Sequence, residues 1–284
     1  MWEVQKMQEH FSAPPVAQLE PGSGKTRKAY LWAYRSNDLQ PGSRIIVFDY
    51  QAGRGGVHAR QFLGVWKGHL MVDDYAGYKP LFAGDGQVDA CIGLGCLAHA
   101  RRKFYDLHQA NQSPMALEAL KRIAALYAIE AEAAAFGIPE RQALRAEKSL
   151  PALASLHNWL TATRAKTAPG GAAAKALDYS LRRWPAFSRY AETGHLPIDN
   201  NPTENCIRPI AIGKKNWLFV GSERAGVRAA AIQTLLGTAK LNGLNPSTWL
   251  KDTLEKLPTW PNSRIDELLP LDTAFLKTVK HNKL

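Results

Sequence analysis

Asp73 and Asp74 close an apolar stretch, His69-Leu70-Met71-Val72, and Glu204 stands in the first turns of a segment opened by Asn201-Pro202. Metal-assisted cleavage of a phosphodiester needs carboxylates from distant parts of a chain to converge on two cations roughly 3.5–4 Å apart. An acid at the end of a strand and another on a later helix satisfy that demand. Magnesium (or manganese) accepts such hard oxygen ligands, and two or three suffice. Both positions also have plainer readings. An acid ending a strand is commonly a solvated turn residue, and a glutamate near a helix N-terminus complements the helix dipole.

Basic residues gather just beyond Glu204. Arg208, Lys214, Lys215, Arg224 and Arg228 are interleaved with Trp217 and Phe219, a mixture that suits a DNA groove in which arginine grips phosphate through two hydrogen bonds. The expected division is aromatic rings packed inward, with lysine and arginine on DNA. Gly213 and Gly221 do not form a phosphate-binding loop, because the Gly-x-x-x-x-Gly-Lys-Ser/Thr arrangement is missing. Earlier in the chain, Cys96 and His99 have the spacing of half a zinc site, but no second Cys/His pair lies near. His99 with Arg101 and Arg102 reads either as a phosphate contact or as a solvated basic helix start.

The elements that must position these residues follow from periodicity. Strands are expected over 29–34, 44–50, 69–73 and 88–94, the first two forming an antiparallel pair, with a short helix over 57–65. The first dozen residues show no period and read as a frayed lead-in. From Ala98 the pattern turns helical. Helices are expected over 115–136, with Leu117, Leu120, Ala124 and Tyr127 on the apolar face, and over 141–164 and 172–190. Another helix begins after the polar turn Asp199-Asn200-Asn201, and a long one runs over 224–241 until Asn242-Gly243 stops it. Pro246 suits the first turn of the next. The resulting order predicts an α/β domain over 21–241 with an all-helical insertion at about 115–190. A lead-in over 1–20, a small C-terminal helical element over 242–272 and a tail over 273–284 complete the division.

Bulk properties agree with a globular protein that meets a polyanion. The 284 residues are 45% hydrophobic and 21% charged, and 36 Lys and Arg against 25 Asp and Glu leave a formal charge of +11. Such an excess favours nucleic acid, since each phosphate neutralised releases counterions. Three scattered cysteines, Cys91, Cys96 and Cys206, exclude a disulfide framework and fit a reducing cytoplasm. No apolar run is long enough for a membrane helix, and Met1–Pro15 lacks the apolar core of a signal peptide.

Three separated strings sharpen this picture: MVDDYAGY, CLAHARRKF, and DNNPTENCIRP followed by GKKNWLF. Together they resemble the insertion-sequence-66 transposase family, and KLNGLNPSTWL and RIDELLP resemble its C-terminal element. The resemblance runs from about Gly22 to Pro270. It implies a ribonuclease-H-like fold with a mixed sheet, and DNA strand cleavage and transfer by an Asp/Asp/Glu triad with magnesium. It places the second Asp on Asp73, with Asp74 as the lesser candidate, and the Glu on Glu204, both as metal ligands. The family's first Asp lies in an Asp-Glu-Thr-Pro segment ahead of a Leu-x-Pro-Gly turn. Here that turn is Leu19-Glu20-Pro21-Gly22, Pro15 matches the family proline, and Ser12 stands where the Asp belongs. Asp49, ending the second strand, is the better-placed spare acid. The resemblance thus implies either a transposase that cuts DNA or an N-terminally truncated, inactive remnant that binds DNA or a full-length transposase. DNA is the expected partner in both, with a homo-oligomer as a further expectation.

Overall fold

Buried residues alternate with half-exposed ones along Pro15–Glu20 (β2) and Ile46–Gln51 (β4), the two-residue period of strands with one covered face. In this computed structural model, residues 9–12, 15–20, 22–39, 42–72, 76–82 and 91–272 are described, with the backbone alone for 9–12, Ala76 and Lys214. The chain divides into two compact units, one of Met1–Gly68, Asp74–Cys91 and Pro202–Leu284, the other of His69–Asp73 and Ile92–Asn201.

The sheet of the first unit is built on Lys25–Arg35 (β3). Glu9–Ser12 (β1) and β2 follow one another along one edge of β3 in a single antiparallel register, from His10 opposite Arg35 to Glu20 opposite Lys25. β4 runs antiparallel along the other edge, Tyr30 opposite Gln51 and Arg35 opposite Ile46. Phe219–Val220 (β7) adds to β2 in parallel. The expected antiparallel pair is therefore present, but residues 9–12 and 15–20 are strand where the sequence reads as lead-in. The period is hidden there because Gln18 occupies an inward position. Its Oε1 accepts hydrogen bonds from the Tyr50 hydroxyl (2.6 Å) and from Arg27 (3.1 Å), so a polar residue is buried without an unmet bond.

Gly56–Leu63 (α1) follows β4, and three helical segments close the unit: the greater part of Asn201–Trp217 (α8), Glu223–Leu241 (α9) and Pro246–Lys256 (α10). Ile207 and Ile210 of α8 and Ala230 of α9 meet Val16, Leu31, Ile46 and Phe48 in one apolar core. α9 lies against β4 so closely that a Cβ at Gly226 would fall 2.4 Å from the Tyr50 ring. One and two turns beyond Ala230, Thr234 and Thr238 take up the free edge of β4. The Phe48 N–H donates to Thr234 Oγ1 at 2.8 Å and the Ile46 N–H to Thr238 Oγ1 at 3.3 Å. After Asn242, the side chain of Asn245 caps α10 by accepting from the backbone of Ser247 and Thr248. This agrees with the expected stop and restart.

In the second unit, Gly68–Val72 (β5) and Cys91–Gly95 (β6) are neighbours. Helices follow: Leu97–Asn111 (α2), Pro114–Glu132 (α3), Ile138–Leu144 (α4), Leu150–Ala165 (α5), Ala172–Arg182 (α6) and Trp184–Ser188 (α7). Three sequence expectations change here. The single helix expected over 172–190 is two, α6 and α7, divided at Arg183 ahead of Pro185. The buried face of α3 is Ala116, Ala119, Ile123 and Leu126, one residue round from the face assigned to Leu117, Leu120, Ala124 and Tyr127. Small alanines let α3 approach α2 closely, and Leu117 is left exposed. The single helix expected over 141–164 is two, joined by a wider π turn at Arg145–Ser149. Pro151, with no N–H to donate, sits just past that turn. Arg145 is fully buried in it, donating to Glu130 Oε1 at 2.8 Å and to the Tyr190 carbonyl at 2.8 Å. No described helix is long and apolar enough to cross a membrane.

Candidate nucleic-acid interface and catalytic carboxylate

The segment Ile198–Asn200, which leads into α8, is tied down at the start of α2. The Leu97 N–H donates to the Ile198 carbonyl at 3.1 Å. The Cys96 thiol donates to Asn200 Oδ1 at 2.9 Å, and the Asn200 N–H returns a bond to Cys96 Sγ at 3.4 Å. Burial pushes the Cys96 thiol up to about 12, against the weaker pull of nearby backbone N–H groups, so the sulfur stays protonated as this donor requires. Next to it, buried Asp199 accepts from the Asn201 N–H (3.0 Å), the Asn201 side-chain amide (2.8 Å) and the Tyr127 hydroxyl (2.8 Å). Burial first and the Asp199 carboxylate second raise the Tyr127 hydroxyl well above its ordinary value. Asp199 thereby satisfies donors that the first turn of α8 would leave unmet. Residues 96, 127, 199 and 200 form a latch that fixes where α8 begins.

Sequence reasoning missed this latch. Tyr127 carries a hydroxyl that an apolar periodicity ignores, and the Cys-x-x-His spacing points Cys96 toward a metal instead. The string Asp-Asn-Asn was the available signal, since such residues favour helix N-termini.

Glu204 lies in the first turn of α8 with its side chain exposed. Thr203, Ile207 and Ile210 turn inward. Arg208 and Lys215, one and three turns farther on, are exposed at spacings that place them on the same stripe as Glu204. Arg224 and Arg228 are exposed one turn apart near the start of α9, Arg228 Nε reaching the Arg224 carbonyl at 3.4 Å. Arg101 and Arg102 are exposed on α2 in the other unit, and Arg102 is paired with Asp106 at 2.7 Å. The side chain of Lys214 lies outside the described residues, as do Asp73, Asp74 and the side chain of Ser12. Asp49 accepts from the side-chain amide of Gln51 at 2.8 Å on β4.

Trp217 and Phe219 are exposed, contrary to the expected inward packing, because α8 runs through Trp217 instead of giving way to a core strand. Among the described residues there is no group of three or more His, Cys, Asp and Glu suited to a metal. Glu204 presents an exposed carboxylate. Asp199 is committed to Tyr127 and Asn201, and Cys96 to Asn200.

Comparison with known proteins places these features in a family. Residues 14–228 match the model of the Transposase IS66 family and residues 234–271 that of the IS66 C-terminal element. Uncharacterized protein y4qI of Sinorhizobium fredii is 38% identical over 89% of this chain and 48% of its own length. Uncharacterized proteins y4hP and y4jD of the same organism are 33% and 32% identical over 84% and 90% of this chain, which covers 46% and 51% of theirs. The chain thus spans about half the length of the curated relatives it matches. No solved structure matches it. On the two family models, which between them cover most of its length, the chain belongs to the IS66 transposase family.

Proposed function

We propose that the chain is the DNA-handling and DNA-cutting portion of an insertion-sequence transposase, with Asp73 and Glu204 as its metal-binding carboxylates. The observation that carries this reading is the exposed stripe of α8. It sets Glu204 beside Arg208 and Lys215 on a helix whose start is latched by Asp199 and Cys96. Magnesium or manganese, when bound, would supply Lewis-acid stabilisation of charge on the reacting phosphodiester. Arg208, Lys215, Arg224 and Arg228, with Lys214 and with Arg101 and Arg102 of the other unit, would hold the backbone phosphates of transposon ends and target. The element order supports a ribonuclease-H-like fold: two strands in one antiparallel line, two more antiparallel strands, a helix, then β5 and β6, with the helical block inserted before α8. A homo-oligomer or a complex with a longer transposase belongs to the same reading.

The test is magnesium-dependent cleavage of DNA carrying the element's ends, resolved on a denaturing gel. Glu204→Gln abolishes the product while leaving DNA binding intact, and a product that survives this change would overturn the assignment. A second reading, an inactive DNA-binding remnant, draws on Ser12 standing where the family has its first Asp. It requires that the unaltered chain not cut and that Ser12→Asp restore cleavage. Cutting by the unaltered chain sinks it.

A further inference from the structure

The end of α8 and the turn after it present apolar surface to solvent in a basic stretch of the first unit. Trp217 is 40% exposed, Leu218 64% and Phe219 43%. Leu218 has a φ of 57°, the left-handed conformation that swings the chain from the end of α8 into β7. The indole is seated by a glycine. A Cβ at Gly213 would lie 2.9 Å from Trp217 Nε1, so only the bare backbone at 213 lets the ring fold back along the last turn of the helix. Around this turn in sequence stand Arg208 and Lys215 on α8 and Arg224 and Arg228 on α9, all exposed. The acid at the start of α9, Glu223, pairs with Arg27 at 3.0 Å.

Exposed rings in a stretch that also carries exposed arginine and lysine have a specific use. Any base offers a π-face to an aromatic ring, while cations track the phosphates. Bases inside a duplex are already stacked on one another and have no face to give. We propose that the Trp217–Phe219 turn is a stacking platform for unpaired DNA bases, at a strand end or in a single-stranded tail, whose phosphates are held by Arg208, Lys215, Arg224 and Arg228. This rests on the reading that the α8–α9 face binds DNA, and it adds the form of DNA preferred there.

The whole chain is titrated against a blunt duplex and against the same duplex carrying a single-stranded tail, by fluorescence anisotropy. The tail raises affinity about ten-fold, the scale of one or two base–aromatic stacks. Trp217→Ala removes that gain, Trp217→Phe keeps most of it, and Gly213→Ala lowers it by displacing the indole. Changing Arg208 and Lys215 to Ala weakens both titrations alike. Equal affinity for the two DNAs overturns the platform and leaves the DNA reading standing. Binding to neither overturns both. If sedimentation shows a dimer that Trp217→Ala dissolves, the surface belongs to a second copy of the chain and the platform is wrong.

Discussion

Cys96 illustrates how a residue that looks like a ligand is spent on position. Its thiol bonds Asn200, its N-terminal neighbours belong to β6, and its C-terminal neighbours open α2. A buried thiol resists ionisation, and this has a consequence for stability at high pH. The unfolded thiol titrates near 9.0 and the folded one near about 12. Between those values the unfolded chain gives up a proton that the folded chain keeps. Stability from this group is therefore full below pH 9 and is lost as pH rises, at up to about 1.4 kcal/mol per pH unit. Cys96→Ser keeps a hydroxyl donor for Asn200 and cannot ionise. Urea denaturation of the two proteins is expected to give curves that run parallel below pH 9 and diverge above it, the unaltered chain losing more. Parallel curves throughout would show that the thiol is not held as described.

Among the elements, the packing of α9 on β4 shows an edge strand protected without a further strand. Half the backbone groups of an outer strand would otherwise point at solvent or at a partner. Thr234 and Thr238, one helical turn apart, each accept from an N–H of β4, and their hydroxyls return toward the Phe48 and Ile46 carbonyls. Changing both to Val keeps the shape and strands two N–H groups against methyls. The expected loss is roughly 1–3 kcal/mol for each bond, read from chemical denaturation, while Thr→Ser at either position loses much less. Gly226→Ala forces a methyl onto the Tyr50 ring and is expected to cost about 1–3 kcal/mol through overpacking. Stability unchanged in the double valine variant would mean that α9 does not seal this edge. The sequence shows the helix and its stop, but Thr at helical positions reads as a mildly unfavourable choice until the neighbouring strand is seen.

For the whole molecule, the net charge of +11 would make the proposed association with DNA steeply dependent on salt. Each phosphate contact contributes about 0.9 to the slope of log affinity against log salt. Removing Arg208, Lys215, Arg224 and Arg228 together is expected to flatten that slope by roughly 3–4. Removing Lys251 and Lys256, both exposed on α10, leaves it nearly unchanged. The check is anisotropy over a series of potassium chloride concentrations. A slope insensitive to the four α8 and α9 cations would place the DNA elsewhere on the chain. Removing Arg101 and Arg102 separately measures the share taken by the second unit.

The sequence by itself determined the family, the mixed α/β class and most element positions. Long ordered motifs survive as strings, and periodicity reports any element with one apolar face. It also put Glu204 at the start of a helix, since Asn201-Pro202 is a local signal. Tertiary structure decided what periodicity cannot carry. Gln18 is buried because Tyr50 and Arg27 meet it, so residues 15–20 form a strand despite a polar inward position. The covered face of α3 is the alanine face because close approach to α2 outweighs the larger leucines one position away. Trp217, at the end of α8, and Phe219, in the short strand β7, face water. Each outcome depends on partners distant in the chain, and hydrogen-bond satisfaction and close packing are properties of such pairs, not of local spacing.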